Sequence, residues 1–164
     1  MIALPQKKRE VSLSGFIKAY VRSMRLYYSF VTGIAGWVGV SYYQYVATNE
    51  GPRGTSGLVR TIELPTPLEK QVVILIILFL AWGINQIVND FLGYKEDEVN
   101  APQRPMVTGE LPPYRALGVS VFLMTGIFFV TWFFLQPIAI IPLVIGAMLN
   151  VVYEYAKGHG LWGN

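Results

Sequence analysis

The segment QVVILIILFLAWGI, Gln71 to Ile84, holds thirteen consecutive residues without a charge or an amide after its first glutamine. A helix crossing a bilayer needs about 20 mostly apolar residues, and this run with its flanks reaches that length from Gln71 to Leu92. Three other stretches have similar character: Leu26 to Ala47, Leu117 to Leu135, and Ile138 to Tyr155. They are continuously apolar and do not alternate with period two, which argues against barrel strands. Helices are the remaining way to satisfy a backbone in lipid. Composition agrees: 53% of the residues are hydrophobic and only 14% charged, against about a quarter charged in soluble domains. The sequence therefore predicts an all-α integral membrane protein, one domain over residues 1–164, with spans near 26–47, 71–92, 117–135 and 138–155. Gln136-Pro137 makes the last two a tight hairpin.

Residues 10–25 place Val11, Leu13, Phe16, Ile17, Tyr20 and Val21 among Lys18, Arg22 and Arg25. This pattern predicts an amphipathic helix lying at the membrane interface and leading into the first span. The loop from Thr48 to Pro67 is polar and rich in glycine and proline, and is expected to be irregular. Tyr27, Tyr28, Tyr42, Tyr43 and Tyr45 bracket the first span as an interfacial aromatic belt. With both termini inside, ten of the thirteen Lys and Arg residues fall inside: six before the first span, three in the loop after the second (Lys95, Arg104 and Arg115) and Lys157 in the tail; Arg53, Arg60 and Lys70 fall outside. The excess of positive charge predicts cytoplasmic N- and C-termini.

The absence of cysteine excludes disulfides, thiolate metal sites and a cysteine nucleophile. A formal charge of +3, with basic residues not gathered in one stripe, gives no support to a nucleic-acid partner. No phosphate-binding glycine loop, serine-nucleophile elbow or zinc-protease motif occurs. The ionisable residues gather toward one face of the membrane and do not line a path across it, which disfavours a transporter or channel.

The informative stretch is NQIVNDFLGYKEDEVNAPQRPMVTG, Asn85 to Gly109. If the second span stays helical to Asp97, then Asn85, Asn89, Gly93 and Asp97 share one face, with Asp90 and Asp97 nearly in line. Acids within a membrane span are functional candidates by default. Amide and carboxylate oxygens suit magnesium, which commonly shares its shell with substrate phosphates. Arg104 is suited to bind phosphate in bidentate fashion. Other readings stand beside this one: Asn85 as an interhelical hydrogen bond, Glu96–Glu98 as a solvated helix end, and Pro102 and Pro105 as stiffeners of the loop. Asn150 and Glu154, four apart on the last span, are candidates to line the same cavity, and Glu154 is also placed to neutralise Lys157 or Arg25. His159 lies in a glycine-flanked tail without companion ligands.

The order NDFLGYKED followed by NAPQRPMVTG resembles the first signature of the UbiA family of intramembrane prenyltransferases. RSMRLYYSFVTGIAGWVG is similar to that family's entry into its first membrane helix, and NVVYEYAKGHGLWGN to the close of its fourth. The resemblance implies four transmembrane helices forming the first of two pseudo-equivalent bundles. It implies transfer of a prenyl group from a polyprenyl diphosphate to an aromatic or other lipid-soluble acceptor. It also implies magnesium held on the diphosphate by Asn89, Asp90 and Asp97, with Arg25, Arg104 and Lys157 as diphosphate ligands and Asn85, Asn150 and Glu154 lining the cavity. The pattern departs from the family at Gly93, where an aspartate is expected. The family's second acidic motif belongs to a second bundle, and after Pro137 this chain has Glu154 as its one acid. The expectation is thus a half-length enzyme completed by a further segment, a partner chain or a second copy. The alternative is a non-catalytic membrane subunit that keeps the half-fold and binds lipid, quinone or pigment.

Overall fold

A computed structural model describes residues 11–49, 67–135 and 137–158, all in helices and short connections. In chain order these are α1 (Leu13–Ser23), α2 (Leu26–Asn49), α3 (Leu68–Leu92), α4 (Tyr94–Asn100), α5 (Pro105–Thr108), α6 (Pro113–Phe134), a 3₁₀ turn (Pro137–Ala139) and α7 (Ile140–Gly158). Most of the Thr48–Pro67 loop lies outside the described residues, as do His159 and the side chains of Tyr43 and Lys157.

Three of these helices are long and apolar enough to cross a membrane: Leu68–Leu92, Pro113–Phe134 and Pro137–Ala156. The expected spans at 71–92, 117–135 and 138–155 match them within a few residues. Helix α2 forms where the remaining span was expected and runs for 24 residues. Its serines, threonines, glutamine and glycines dilute its apolar character. The outward faces of α6 and α7, including Phe122, Phe133, Val152 and Tyr153, are exposed. A water-facing surface would not carry so many large apolar side chains.

Helix α3 is the axis of the bundle, packed against α2, α6 and α7. Ile77 and Ile84 on α3 meet Ile127 of α6 in one apolar cluster. A second cluster forms at the end of α3 near the signature. There Ala19, Tyr20 and Met24 pack with Ile87, Tyr94, Met106, Leu111 and Ala116. Helix α1 therefore lies against the end of the bundle. Ser12 caps its N-terminus, accepting the Gly15 N–H at 3.2 Å. The buried Tyr20 hydroxyl pairs with Ser120 Oγ of α6 at 2.9 Å. Burial pushes the Tyr20 pKa upward and the Ser120 bond opposes it, so the phenol stays neutral.

The corner between α1 and α2 is sharp. Arg25 sits there with φ 50°, the one non-glycine residue of positive φ among those described. Met24 and Ser29, either side of the corner, press on Gly83 of α3. A Cβ on that glycine would lie 2.7 Å from Met24 Cε and 3.1 Å from Ser29 Oγ. A side chain at this position would make Met24 and Ser29 give way.

Candidate functional site: a two-arginine cradle at the end of α3

Helix α3 stops at Leu92 and α4 begins at Tyr94, yet the helical bonding persists across the join. The Gly93 N–H donates to Asn89 O at 2.8 Å, and the Asp97 N–H donates to Gly93 O at 3.0 Å. This keeps Asn89, Gly93 and Asp97 in the succession that their four-residue spacing predicts. The acidic run 96–98 is not uniformly solvated. Asp97 is buried, whereas Glu98 is exposed.

After Asn100 the chain turns sharply and brings Arg104 back over α3 and α4. Arg104 is extended (φ −66°, ψ 142°), and Pro105 begins α5 in the first helical position, where its missing N–H costs nothing. Gly109 ends α5 in the left-handed region at φ 80°. Pro105 and Met106 are buried. The proline-flanked arginine is thus seated on a packed turn.

Asp90 is the centre of the site, with 2% of its side chain exposed. Its Oδ1 accepts from an Arg25 guanidinium nitrogen at 2.7 Å. The same oxygen accepts from Arg104 at 3.0 Å. The Arg104 nitrogen that reaches Asp90 also donates to Asp97. A second Arg25 nitrogen donates to Gln86 Oε1 at 2.9 Å. Two guanidinium groups and two carboxylates therefore interlock, with formal charges that cancel. Both arginines remain about one-third exposed, Arg25 34% and Arg104 31%. Buried charges are tolerated when paired and hydrogen-bonded in this way.

A second polar contact lies on the α7 side of α3. Asn89 Nδ2 donates to Asn150 Oδ1 at 3.3 Å, and Asn150 Nδ2 donates back to Asn89 Oδ1. Asn85 is half-buried one turn above Asn89, and Glu154 is half-buried one turn beyond Asn150. The residues singled out in the sequence thus fall into two groups. Arg25, Asp90, Asp97 and Arg104 meet directly, while Asn89 faces Asn150 across a helix interface. Gln86 was missed. It lies four residues before Asp90 on the same face, and a search for polar companions of Asp90 at helical spacing finds it.

The sequence profile of the UbiA prenyltransferase family matches residues 56–164. The chain belongs to this family. It is 24% identical over 153 residues to a protein of Methanosarcina barkeri named digeranylgeranylglyceryl phosphate synthase, covering 93% of this chain and 50% of that protein. A protein of the same name from Methanococcoides burtonii is 28% identical over 150 residues, covering 90% of this chain and 49% of its own length. A third, from Methanosphaera stadtmanae, is 30% identical over 77 residues, covering 47% of this chain and 28% of its own length. The chain spans about half the length of the first two of these relatives. No solved structure matches it.

The UbiA family resemblance implies magnesium. Among the described residues, no three His, Cys, Asp or Glu side chains converge closely enough to hold a metal ion by themselves. Asn89 and Asp97 nonetheless offer oxygen donors of the type magnesium prefers, and one or two protein carboxylates suffice where phosphates complete the shell. Asn89 Oδ1 accepts from Asn150 and Asp97 accepts from Arg104, so a cation shared with a diphosphate would take these oxygens in exchange for those partners.

Proposed function

We propose that this chain forms the first half of an intramembrane prenyltransferase site, transferring a prenyl group from a polyprenyl diphosphate to a lipid-soluble acceptor. The observation that carries this reading is the convergence of Arg25 and Arg104 at the end of α3, inside the family signature. Two adjacent, partly exposed guanidinium groups suit a diphosphate, because each offers a planar fork of N–H donors to phosphate oxygens. Lys157 on α7 is proposed as a third cationic ligand.

Departure of the diphosphate develops negative charge on the leaving group and positive charge on the allylic carbon. Arg25 and Arg104 are suited to stabilise the former. The apolar interior of the bundle would keep water from the latter. Asn89 and Asp97 are the residues proposed to hold magnesium with the diphosphate. Magnesium there would offset the leaving-group charge. Asn85, Asn150 and Glu154 are proposed to line the cavity beside it. The name of the archaeal relatives favours a glyceryl phosphate lipid as acceptor over an aromatic one.

In this reading α2 also crosses the bilayer, giving four spans, and α1 lies at the interface. Twenty-four residues at about 1.5 Å each are long enough for α2 to cross. Both termini are cytoplasmic, which puts the arginine cradle on the cytoplasmic side. A second acidic motif, from a further segment or a partner chain, completes the site. The test is prenyl transfer in membranes carrying the completed assembly, with and without Asp97→Ala. Loss of transfer is expected; unchanged transfer would sink the assignment.

A further inference from the structure

We propose that Asp90 is a positioning residue that sets the distance and angle between Arg25 and Arg104, and not a metal ligand. The inference rests on the diphosphate reading and gives one residue of that site a distinct role. Asp90 is nearly inaccessible, at 2% exposure. One of its oxygens takes both guanidinium groups, at 2.7 Å and 3.0 Å. That places a nitrogen of each arginine beside the same atom, and so beside each other.

The two arginines come from different parts of the fold. Arg25 stands at the α1–α2 corner, and Arg104 precedes α5 on the turn after α4. Their guanidinium groups would repel each other without an anion between them. Asp90 supplies that anion from α3, the axis of the bundle, and Gln86 steadies Arg25 from the preceding turn at 2.9 Å. The backbone of Arg25 is held at φ 50°. A non-glycine residue in this region persists where its surroundings determine it. The bonds from Gln86 and Asp90 help to fix its side chain. About a third of each arginine side chain is exposed, which leaves surface for an anion to approach. Asp97, by contrast, is bonded to Arg104 alone among the two arginines.

The test is calorimetric titration of inorganic pyrophosphate into the detergent-solubilised chain, once with a chelator and once with magnesium. Asp90→Ala is expected to weaken binding by about tenfold or more in chelator, as for lost charge-assisted hydrogen bonds. Asp90→Asn keeps one acceptor oxygen but loses the charge, so it is expected to weaken binding by about threefold, less than Asp90→Ala. Neither change is expected to alter the factor by which magnesium improves binding, whereas Asp97→Ala is expected to reduce it. Circular dichroism confirms retained helix in each variant. If Asp90→Ala does not fold, Asp90→Asn decides the matter alone through its affinity in chelator and its magnesium factor. Wild-type-like binding by folded Asp90→Ala would overturn the inference. So would loss of the magnesium factor in either Asp90 variant, or wild-type-like binding by Asp90→Asn. A wild-type chain that binds no pyrophosphate under either condition would overturn the diphosphate reading itself, and this inference with it.

Discussion

Gly93, which joins α3 to α4, faces Glu154 of α7. A Cβ built on the glycine would lie 3.8 Å from Glu154 Oε2 and 3.2 Å from Asn89 O. One turn back the same two helices meet through the Asn89–Asn150 pair. Residue pairs 89/150 and 93/154 both advance by four, so α3 and α7 run side by side in one direction. The position at which the family resemblance leads one to expect an aspartate thus carries no side chain and lies beside a carboxylate from another helix.

This relationship makes a prediction. Gly93→Asp would bring a second carboxylate against Glu154, and is expected to lower stability by about 1 kcal/mol, between the weak surface case and the stronger buried case. Gly93→Asp combined with Glu154→Gln removes the repulsion. The double variant is expected to melt above the Gly93→Asp single variant in detergent. Equal melting temperatures would show that the two positions do not communicate.

Arg104 supports two buried acids through one nitrogen. Arg104→Ala leaves Asp90 without one of its partners and Asp97 without this pair. A loss of about 3 kcal/mol is expected, as when a buried ion pair loses one member. Because a single nitrogen makes both contacts, Arg104→Lys is expected to recover part of that loss. Chemical denaturation of the three proteins in the same detergent measures it.

Much of this architecture was legible in the residues. The long apolar runs fixed the positions of α3, α6 and α7 because hydrocarbon length sets a narrow requirement. The interlocked Arg25, Asp90, Asp97 and Arg104 were each recognisable as candidates, since charge near a span is costly and needs a partner. Their pairing with one another was not legible. It depends on the left-handed corner at Arg25 and the turn after Asn100, which bring together residues 65 and 14 positions apart. Periodicity along one helix carries no information on such contacts. The Asn89–Asn150 pair was hidden for the same reason, and Gln86 stands about 100° round the helix from Asn85, off the face that Asn85, Asn89, Gly93 and Asp97 share.

The α1–α2 corner gives a comparison of two substitutions at one site. Arg25→Ala and Arg25→Gly both lose the bonds to Asp90 and Gln86. Only alanine still meets the steric cost of φ 50°. Arg25→Gly is therefore expected to be the more stable of the two by about 1 kcal/mol. Denaturant midpoints of the two variants test this directly.

The Tyr20–Ser120 bond fastens α1 to α6 in a buried setting. Tyr20→Phe leaves Ser120 Oγ without this partner and is expected to cost about 1 kcal/mol. Adding Ser120→Ala removes the stranded hydroxyl. The double variant is expected to be no less stable than Tyr20→Phe. Thermal unfolding followed by circular dichroism distinguishes these outcomes.

The cradle at the end of α3 is proposed to recognise the diphosphate of a prenyl donor. The most direct measurement of this compares equilibrium binding of a polyprenyl diphosphate with that of the matching polyprenyl alcohol, for the wild-type chain and for Arg104→Ala. Clear preference for the diphosphate is expected in the wild type, and a preference reduced by about tenfold or more in the variant. Equal affinity for diphosphate and alcohol in the wild type, or an unchanged preference in folded Arg104→Ala, would contradict this proposal.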